Sequence, residues 1–426
     1  MKLAVYAIAK NEAKHVERWY ESVKDADEII VLDTGSTDGT QKLLSELPGV
    51  RVASMSFEPF RFDTARNAAL NLVSLDVDYC MFMDLDETMP KGSIAAIRKA
   101  IAKTQKDMYA LRLVFQFDHK RQPVVSYPRE AVHKRNDFYW KYPVHELLAN
   151  HHGQYSYEEL PVQVFHEPDA SKERSSYLSL LEMAVEENPD DPRQAQYLGR
   201  EYMYQGRPFD AQMWLKRHIQ MEPHGPFRSE SASYIAQCFL MLEGQLEEAL
   251  DEAEAWYYRA IAEFNSAREP YCELADLYFK CHEFECAIGM LKSALRITEQ
   301  PSVAMIHRDE YYTHWPHHML AACYFNIGNV QAAKHHIQEA MKTAGSISGP
   351  LANDIVKILG LEHATQSLLG VEASSGIEGH VPENGTEQTE AVSDALSEKQ
   401  ASVSAVQEEG RSAEAGSAEV PSSDSE

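Results

Sequence analysis

Three carboxylates close a short apolar run, Asp78-Tyr79-Cys80-Met81-Phe82-Met83-Asp84-Leu85-Asp86-Glu87. The run is short, holds aromatics and precedes Pro90-Lys91-Gly92, which predicts a buried strand rather than a helix. In extended backbone Asp84 and Asp86 project to the same side. Their repulsion is relieved by a hard divalent cation, Mg²⁺ or Mn²⁺, which binds through one or two carboxylates plus substrate phosphates. Open α/β sheets take ligands outside the carboxyl ends of their strands, where these acids fall. The competing reading is a solvated acidic turn.

Two further polar clusters follow apolar runs. Lys10-Asn11-Glu12 follows Leu3–Ala9, and Asp33-Thr34-Gly35-Ser36-Thr37-Asp38-Gly39-Thr40 follows 28–32. The second is not a Walker loop, because no Gly-Lys-Ser/Thr follows, and it lacks the Gly-x-Gly-x-x-Gly dinucleotide fingerprint. The elements that must position these clusters alternate in type. Strands are predicted at Leu3–Ala9, 28–32, 50–55 and 78–84, with helices over 11–23, 40–47, 62–73 and 93–102, and a strand at 109–117. This alternation predicts a mainly parallel α/β sheet flanked by helices.

Four blocks occur in order: Ala7-Ile8-Ala9-Lys10-Asn11-Glu12, then 31–40 around Asp33, then Ala65-Arg66-Asn67-Ala68-Ala69-Leu70, then Met83-Asp84-Leu85-Asp86-Glu87. Together they resemble the family 2 glycosyltransferases. The resemblance implies a GT-A fold and inverting transfer from a nucleotide-diphosphate sugar, with UDP the expected nucleotide and Mn²⁺ or Mg²⁺ the cofactor. It implies that Asp33 accepts from the nucleobase and that Ala7, Lys10, Asn11 and Glu12 line the same pocket. Arg66 would contact the nucleotide or its phosphates, Asp84 the ribose or metal, and Asp86 would ligate the cation, completing an Asp-x-Asp motif around Leu85. Independently of family, a departing diphosphate develops negative charge that a divalent ion and an Arg stabilise, and the acceptor needs a general base.

The stretch 124–146 is rich in Arg, Lys and aromatics and ends Tyr142-Pro143-Val144-His145-Glu146. Many chains resembling this one carry a His-Glu pair here, which makes His145 a candidate metal ligand and Glu146 the candidate base. Neutral imidazole suits Mn²⁺-like ions. The alternative is that the pair merely holds a loop, with Asp118, Glu130 or Glu87 as base.

From Arg174 strand patterns give way to amphipathic helices. Trios at spacing 8 and 5 recur: Leu198, Gly206, Ala211; Ala236, Gly244, Ala249; Leu274, His282, Ala287; and Leu320, Gly328, Ala333. They resemble tetratricopeptide-type helical pairs, in which small residues allow close helix approach and three or more units bury a core. His282 departs from the small-residue position. Family 2 enzymes with a C-terminal repeat array, including peptide S-glycosyltransferases of the sublancin type, are similar in domain order. A peptide or glycan acceptor and a homodimer through the repeats are the expectations that follow.

The formal charge of −26 argues against a general nucleic-acid or anionic-membrane binder and disfavours a DNA acceptor. Residues 371–426 hold 13 Asp/Glu against 2 Lys/Arg and no aromatic, so a disordered acidic tail is expected from about 366. The expected domains are therefore 1–170, 171–365 and 366–426. None of the six cysteines forms a Cys-x-x-Cys pair, and no run approaches the roughly 20 apolar residues of a membrane span. A cytoplasmic location follows as the expectation. The alternative function from another class is a non-catalytic repeat scaffold with a nucleotide-binding α/β domain.

Overall fold

The computed structural model describes residues 1–117, 123–167, 177–244, 246–301, 308–344, 347 and 349–360. Asp118 and the expected acidic tail lie outside the described residues. The chain divides into two compact units, the first ending at Glu187 and the second beginning at Asn188.

The first unit is built on a sheet in the order β3-β2-β1-β4-β7-β6-β10-β5. Strands β1 (Leu3–Ala9), β2 (Glu28–Asp33), β3 (Val50–Ser54) and β4 (Tyr79–Phe82) run parallel to their neighbours. Beyond β4 the sheet is mixed: β7 (Pro123–Lys134) is antiparallel to β4 and to β6 (Met108–Phe117), β10 (Tyr157–His166) is parallel to β6, and the short β5 (Glu87–Thr88) pairs antiparallel with β10. The sequence reading anticipated β1–β4 and β6; β7 and β10 are placed by pairing with β6, with register shifts in β6–β7 and β6–β10.

β1 is apolar throughout because both its faces are covered. Leu3, Val5, Ala7 and Ala9 pack in one core with Val16, Trp19 and Val23 of α1 (Val16–Val23) and Ile94, Ile97 and Ile101 of α4 (Ser93–Thr104). Ala4 and Tyr6 face the other core, with Ala69 and Leu70 of α3 (Phe62–Leu72) and Phe138 and Trp140 of β8 (Phe138–Lys141). β8 forms a separate hairpin with β9 (Leu147–Asn150). α2 (Thr40–Ser45) follows β2, and α5 (Leu178–Glu187) closes the unit. The helix expected from Asn11 starts only at Val16, because Asn11 sits at φ 58° and interrupts the helical path.

The second unit is a stack of helical pairs: α6 (Pro192–Tyr204) with α7 (Pro208–Met221), α8 (Gly225–Leu240) with α9 (Ala249–Glu263), and α10 (Glu269–Lys280) with α11 (Phe284–Leu295). After the short α12 (Asp309–Tyr312) come α13 (Trp315–Asn326), paired with α14 (Val330–Thr343), and α15 (Gly349–Leu359). Ala211, Ala249, Ala287 and Ala333 of the trios are buried between helices. The middle position has a different cause from the one its spacing suggested. Gly206, Gly244 and Gly328 lie at φ +70°, +77° and +80°, and a Cβ there would meet nothing within 4 Å. Gly206 and Gly328 end α6 and α13 in the left-handed conformation, with Gly206 N–H donating to Met203 O and Arg207 N–H to Tyr202 O, while Gly244 turns the chain four residues beyond α8. His282 occupies the same place at φ 62°. Close approach is instead the work of Gly199, whose added Cβ would lie 2.8 Å from Leu215 Cγ. Relief of the left-handed strain outweighs the extra unfolded-chain entropy of glycine, so His282→Gly is expected to stabilise the chain by about 0.5–1 kcal/mol. Urea unfolding checks this; a lower midpoint in the variant would refute the strain argument.

Candidate active site

Because β2, β1 and β4 are adjacent and parallel, the loops leaving their carboxyl ends share one edge of the sheet. Asp33 is the last residue of β2, in register with Ala9. Its Oδ1 accepts from the amides of Gly35 and Ser36, both at 3.0 Å. Its Oδ2 is buried and has no hydrogen-bond partner among the described residues. A buried carboxylate oxygen left open is costly unless a ligand's donor fills it.

The loop after Asp33 is stitched to the loop after β1. Asn11 N–H donates to Ser36 Oγ (2.9 Å), Thr37 N–H to Asn11 Oδ1 (2.8 Å), Glu12 N–H to Thr40 Oγ1 (2.8 Å) and Ala13 N–H to Asp38 Oδ2 (3.0 Å). Burial pushes Asp38 up, but its hydrogen bonds from Thr40 and backbone amides outweigh this and hold it below the ordinary carboxylate range. Asn11 and the Ser-Thr-Asp-Gly-Thr run thus shape a rigid two-loop wall. Lys10 is exposed beside it, whereas Ala7 and Leu85 are buried in the core, leaving only their backbones to face a ligand.

The third loop is a charge network. Arg66 donates from Nη1 and Nη2 to the two oxygens of Asp84 (2.9 and 3.0 Å) and from Nε to Glu146 Oε1 (2.5 Å). Its guanidinium lies 4.8 Å from the Phe82 ring centre and 5.0 Å from that of Trp140. Burial alone would lower the Arg66 pKa, but the two carboxylates outweigh it and hold the group charged. Arg129 forms a bidentate pair with the buried Glu87 and covers the same Phe82 ring at 4.5 Å. Next to Arg66, Asn67 bonds the backbone of Trp140 in both directions (2.7 and 2.8 Å), docking β8 on α3. The turn after β8 carries Tyr142 at φ 81° and His145 at φ 48°, and this bent backbone delivers Glu146 to Arg66. Strained residues of this kind concentrate where a side chain must be aimed.

Asp86 stands apart from the Arg66 pair. Its Oδ2 meets His166 Nε2 at 3.1 Å. Burial pushes Asp86 up, but the hydrogen bond and charge of His166 outweigh it, so its pKa lies below the usual value; His166 is raised by the same contact against its own burial. The Asp86 carbonyl accepts from Glu167 N–H (3.0 Å) and Arg18 Nη2 (3.2 Å), while Arg18 also bonds Glu167. Asp84, Glu87 and Glu146 meet Arg66 and Arg129, and Asp86 adds a fourth carboxylate beside His166, leaving an excess of two negative charges before His166 is counted. That surplus, with oxygen donors and one imidazole, fits a divalent cation of the Mg²⁺ or Mn²⁺ kind. Among the described residues no cluster of three metal-ligating side chains is assembled, so most of the shell would come from the ligand and water.

The structure thus brings Arg66, Asp84 and Glu146 into direct contact and places Asp33 and Asp86 on the same sheet edge. His145 is seen edge-on to Tyr177, with ring centres 6.0 Å apart, and the imidazole found on Asp86 is His166. Of the other base candidates, Glu87 is held by Arg129 and Glu130 accepts from the Tyr155 hydroxyl at 2.8 Å. His166, Arg129 and Arg18 were missed by sequence reasoning. A signal for His166 existed, since Val162, Val164 and Phe165 lead into His166-Glu167 much as 79–83 leads into Asp84.

Residues 5–155 match the model of glycosyl transferase family 2, so the first unit is similar to that family over most of its length. An uncharacterized glycosyltransferase of Rickettsia bellii is 28% identical over 131 residues, 30% of this chain and 43% of the relative. A TPR repeat-containing protein of Synechococcus elongatus is 25% identical over 270 residues, 60% of this chain and 65% of the relative. The chain therefore spans less than two thirds of either relative's length. Among solved structures, MamA matches at 17% identity and TM-score 0.32, covering 39% of this chain and 85% of that one. A thermophilic TPR protein of Thermus thermophilus matches at 21% identity and TM-score 0.31, covering 43% and 87%. The architecture is a domain similar to family 2 glycosyltransferases followed by tetratricopeptide-like helical pairs. No described helix is long and apolar enough to cross a membrane.

Proposed function

We propose that this protein is an inverting glycosyltransferase that moves a sugar from a nucleoside-diphosphate donor, a UDP-sugar, to a peptide side chain or glycan. The observation that supports this most directly is the buried, unfilled Oδ2 of Asp33 at the carboxyl end of β2. A uracil ring offers one imide N–H to such an acceptor, and the wall made by Lys10, Asn11 and Glu12 against 33–40 bounds the ring. Asp84 borders the ribose end of the pocket. Arg66 has Nε and one N–H of each terminal nitrogen committed, so it presents its charge and its remaining N–H groups toward the diphosphate.

Asp86 is the proposed ligand of a divalent cation, with His166 and, from the β8–β9 turn, His145 as candidate nitrogen donors. The cation, when bound, offsets negative charge on the departing diphosphate. Glu146 gives only Oε1 to Arg66, and its Oε2 is the proposed acceptor of the incoming hydroxyl or thiol proton on the face opposite the leaving group. The repeat unit is proposed to present the acceptor or a second subunit, and the protein to act in the cytoplasm.

The test is a thermal-shift screen of nucleotide sugars with and without Mn²⁺. A donor that binds only the folded state raises the melting temperature by mass action, and UDP-sugars with Mn²⁺ are expected to give the largest rise. If no nucleotide sugar moves the transition under either condition, the proposal fails.

A further inference from the structure

A pair of histidines faces across α13 and α14, on none of the elements that carry the candidate active site. His317 lies on α13 and His336 on α14, and their Nδ1 atoms face each other at 3.0 Å with ring centres 5.2 Å apart. The His336 ring is fixed from one side by Tyr324, stacked at 5.5 Å with 2° between planes. His335 neighbours it, with ring centres 5.0 Å apart. Glu339 stands one turn further along α14 at the i+3 position from His336, bound to Lys342 at 2.6 Å and part exposed.

Two imidazole nitrogens bound to one ion through bonds of about 2.0–2.1 Å lie about 2.9–3.4 Å apart, from right-angled to tetrahedral coordination. The observed spacing falls within that range, so the two nitrogens are close enough to share an ion once their lone pairs turn toward it. Imidazoles of ordinary pKa are mostly neutral at pH 7. Neutral imidazole is the ligating form. The lone pairs cannot both face inward while one ring donates to the other, so binding requires that ring to shift its proton to Nε2. No net proton leaves.

We propose that His317 and His336 bind one late first-row transition ion, Ni²⁺, Cu²⁺ or Zn²⁺, through their Nδ1 atoms, with water completing the shell. The ion would clamp α13 to α14. Imidazole donors select these metals over Mg²⁺, and the site is carried by α13 and α14, not by the strand end that carries Asp86.

Titrating the full chain with Ni²⁺ by calorimetry, alongside electron paramagnetic resonance with Cu²⁺, tests this. In the Asp86→Ala background, the expected result is a Ni²⁺ binding event that weakens about tenfold or more when His317→Gln or His336→Gln is added. The Cu²⁺ signal should show two coordinated imidazole nitrogens and lose one in each histidine variant. Gln keeps most of the volume and a hydrogen-bonding group, and circular dichroism verifies that the helices remain; if either Gln variant unfolds, His336→Asn replaces it. Absence of binding, or binding and nitrogen count unchanged in folded variants, overturns the site as a mere hydrogen-bonded histidine pair.

Discussion

Asp86→Ala is expected to lower the turnover of a UDP-sugar about 10³-fold, because a metal's charge stabilisation of a leaving group amounts to several kcal/mol. The basis is local. Asp84 is occupied by both terminal nitrogens of Arg66 and Glu87 by Arg129, so Asp86 is the carboxylate of the loop not held by an arginine side chain. Among the described residues its carboxylate is bonded by the side chain of His166 alone, a group that can itself turn to a cation. Removing the carboxylate should leave the fold standing, since Asp86 holds β10 and α1 mainly through its backbone carbonyl. The check is donor hydrolysis followed against Mn²⁺ concentration, with melting temperature in parallel. A folded variant that keeps wild-type turnover at every Mn²⁺ concentration would remove Asp86 from the site.

Arg66→Ala carries the largest expected effect on stability, about 3–5 kcal/mol, because it strips the cation from a buried network while leaving its anions in place. Arg66 is 8% exposed, and the side chains of Glu146 and Asp84 are 11% and 30% exposed. The loss also includes two aromatic contacts, at Phe82 and Trp140. Lysine should restore little of this, since an ammonium cannot bond Asp84 through two parallel N–H groups and Glu146 through a third. Neutralising the anions along with the cation, as in Arg66→Met with Asp84→Asn and Glu146→Gln, should recover much of the loss. Guanidinium unfolding measures each step. A cost below about 1 kcal/mol for the single change would mean that the network behaves like an ordinary surface ion pair.

Much of the first unit was legible in advance because its leading half obeys local rules. β1 to β4 are short apolar runs buried on both faces, and each ends in a polar loop whose role is set within a few residues. The Asp33 loop is one case: its glycines at φ +112° and +95° and its capping side chains are all local. The late strands were less legible, since β7 and β10 are specified by pairing with β6 across slipped register, which no local pattern records. The glycines of the repeat show a subtler limit. Their spacing was visible, but only backbone angles distinguish a left-handed helix end from a close packing contact, and His282 makes sense only in those terms.

What the sequence alone determined is the set of chemical groups and their placement at strand ends: Asp33, Arg66, Asp84, Asp86 and Glu146, the helical second half, and the order of the two. What tertiary structure decided is which of these groups hold one another. Arg66 reaches 18 residues to Asp84 and 80 to Glu146, and His166 reaches 80 to Asp86. Those distances along the chain carry no periodic signal. The contacts exist because β10 returns beside β6 and the β8–β9 hairpin docks on α3, and both depend on sheet pairing and on packing between faces rather than on local sequence.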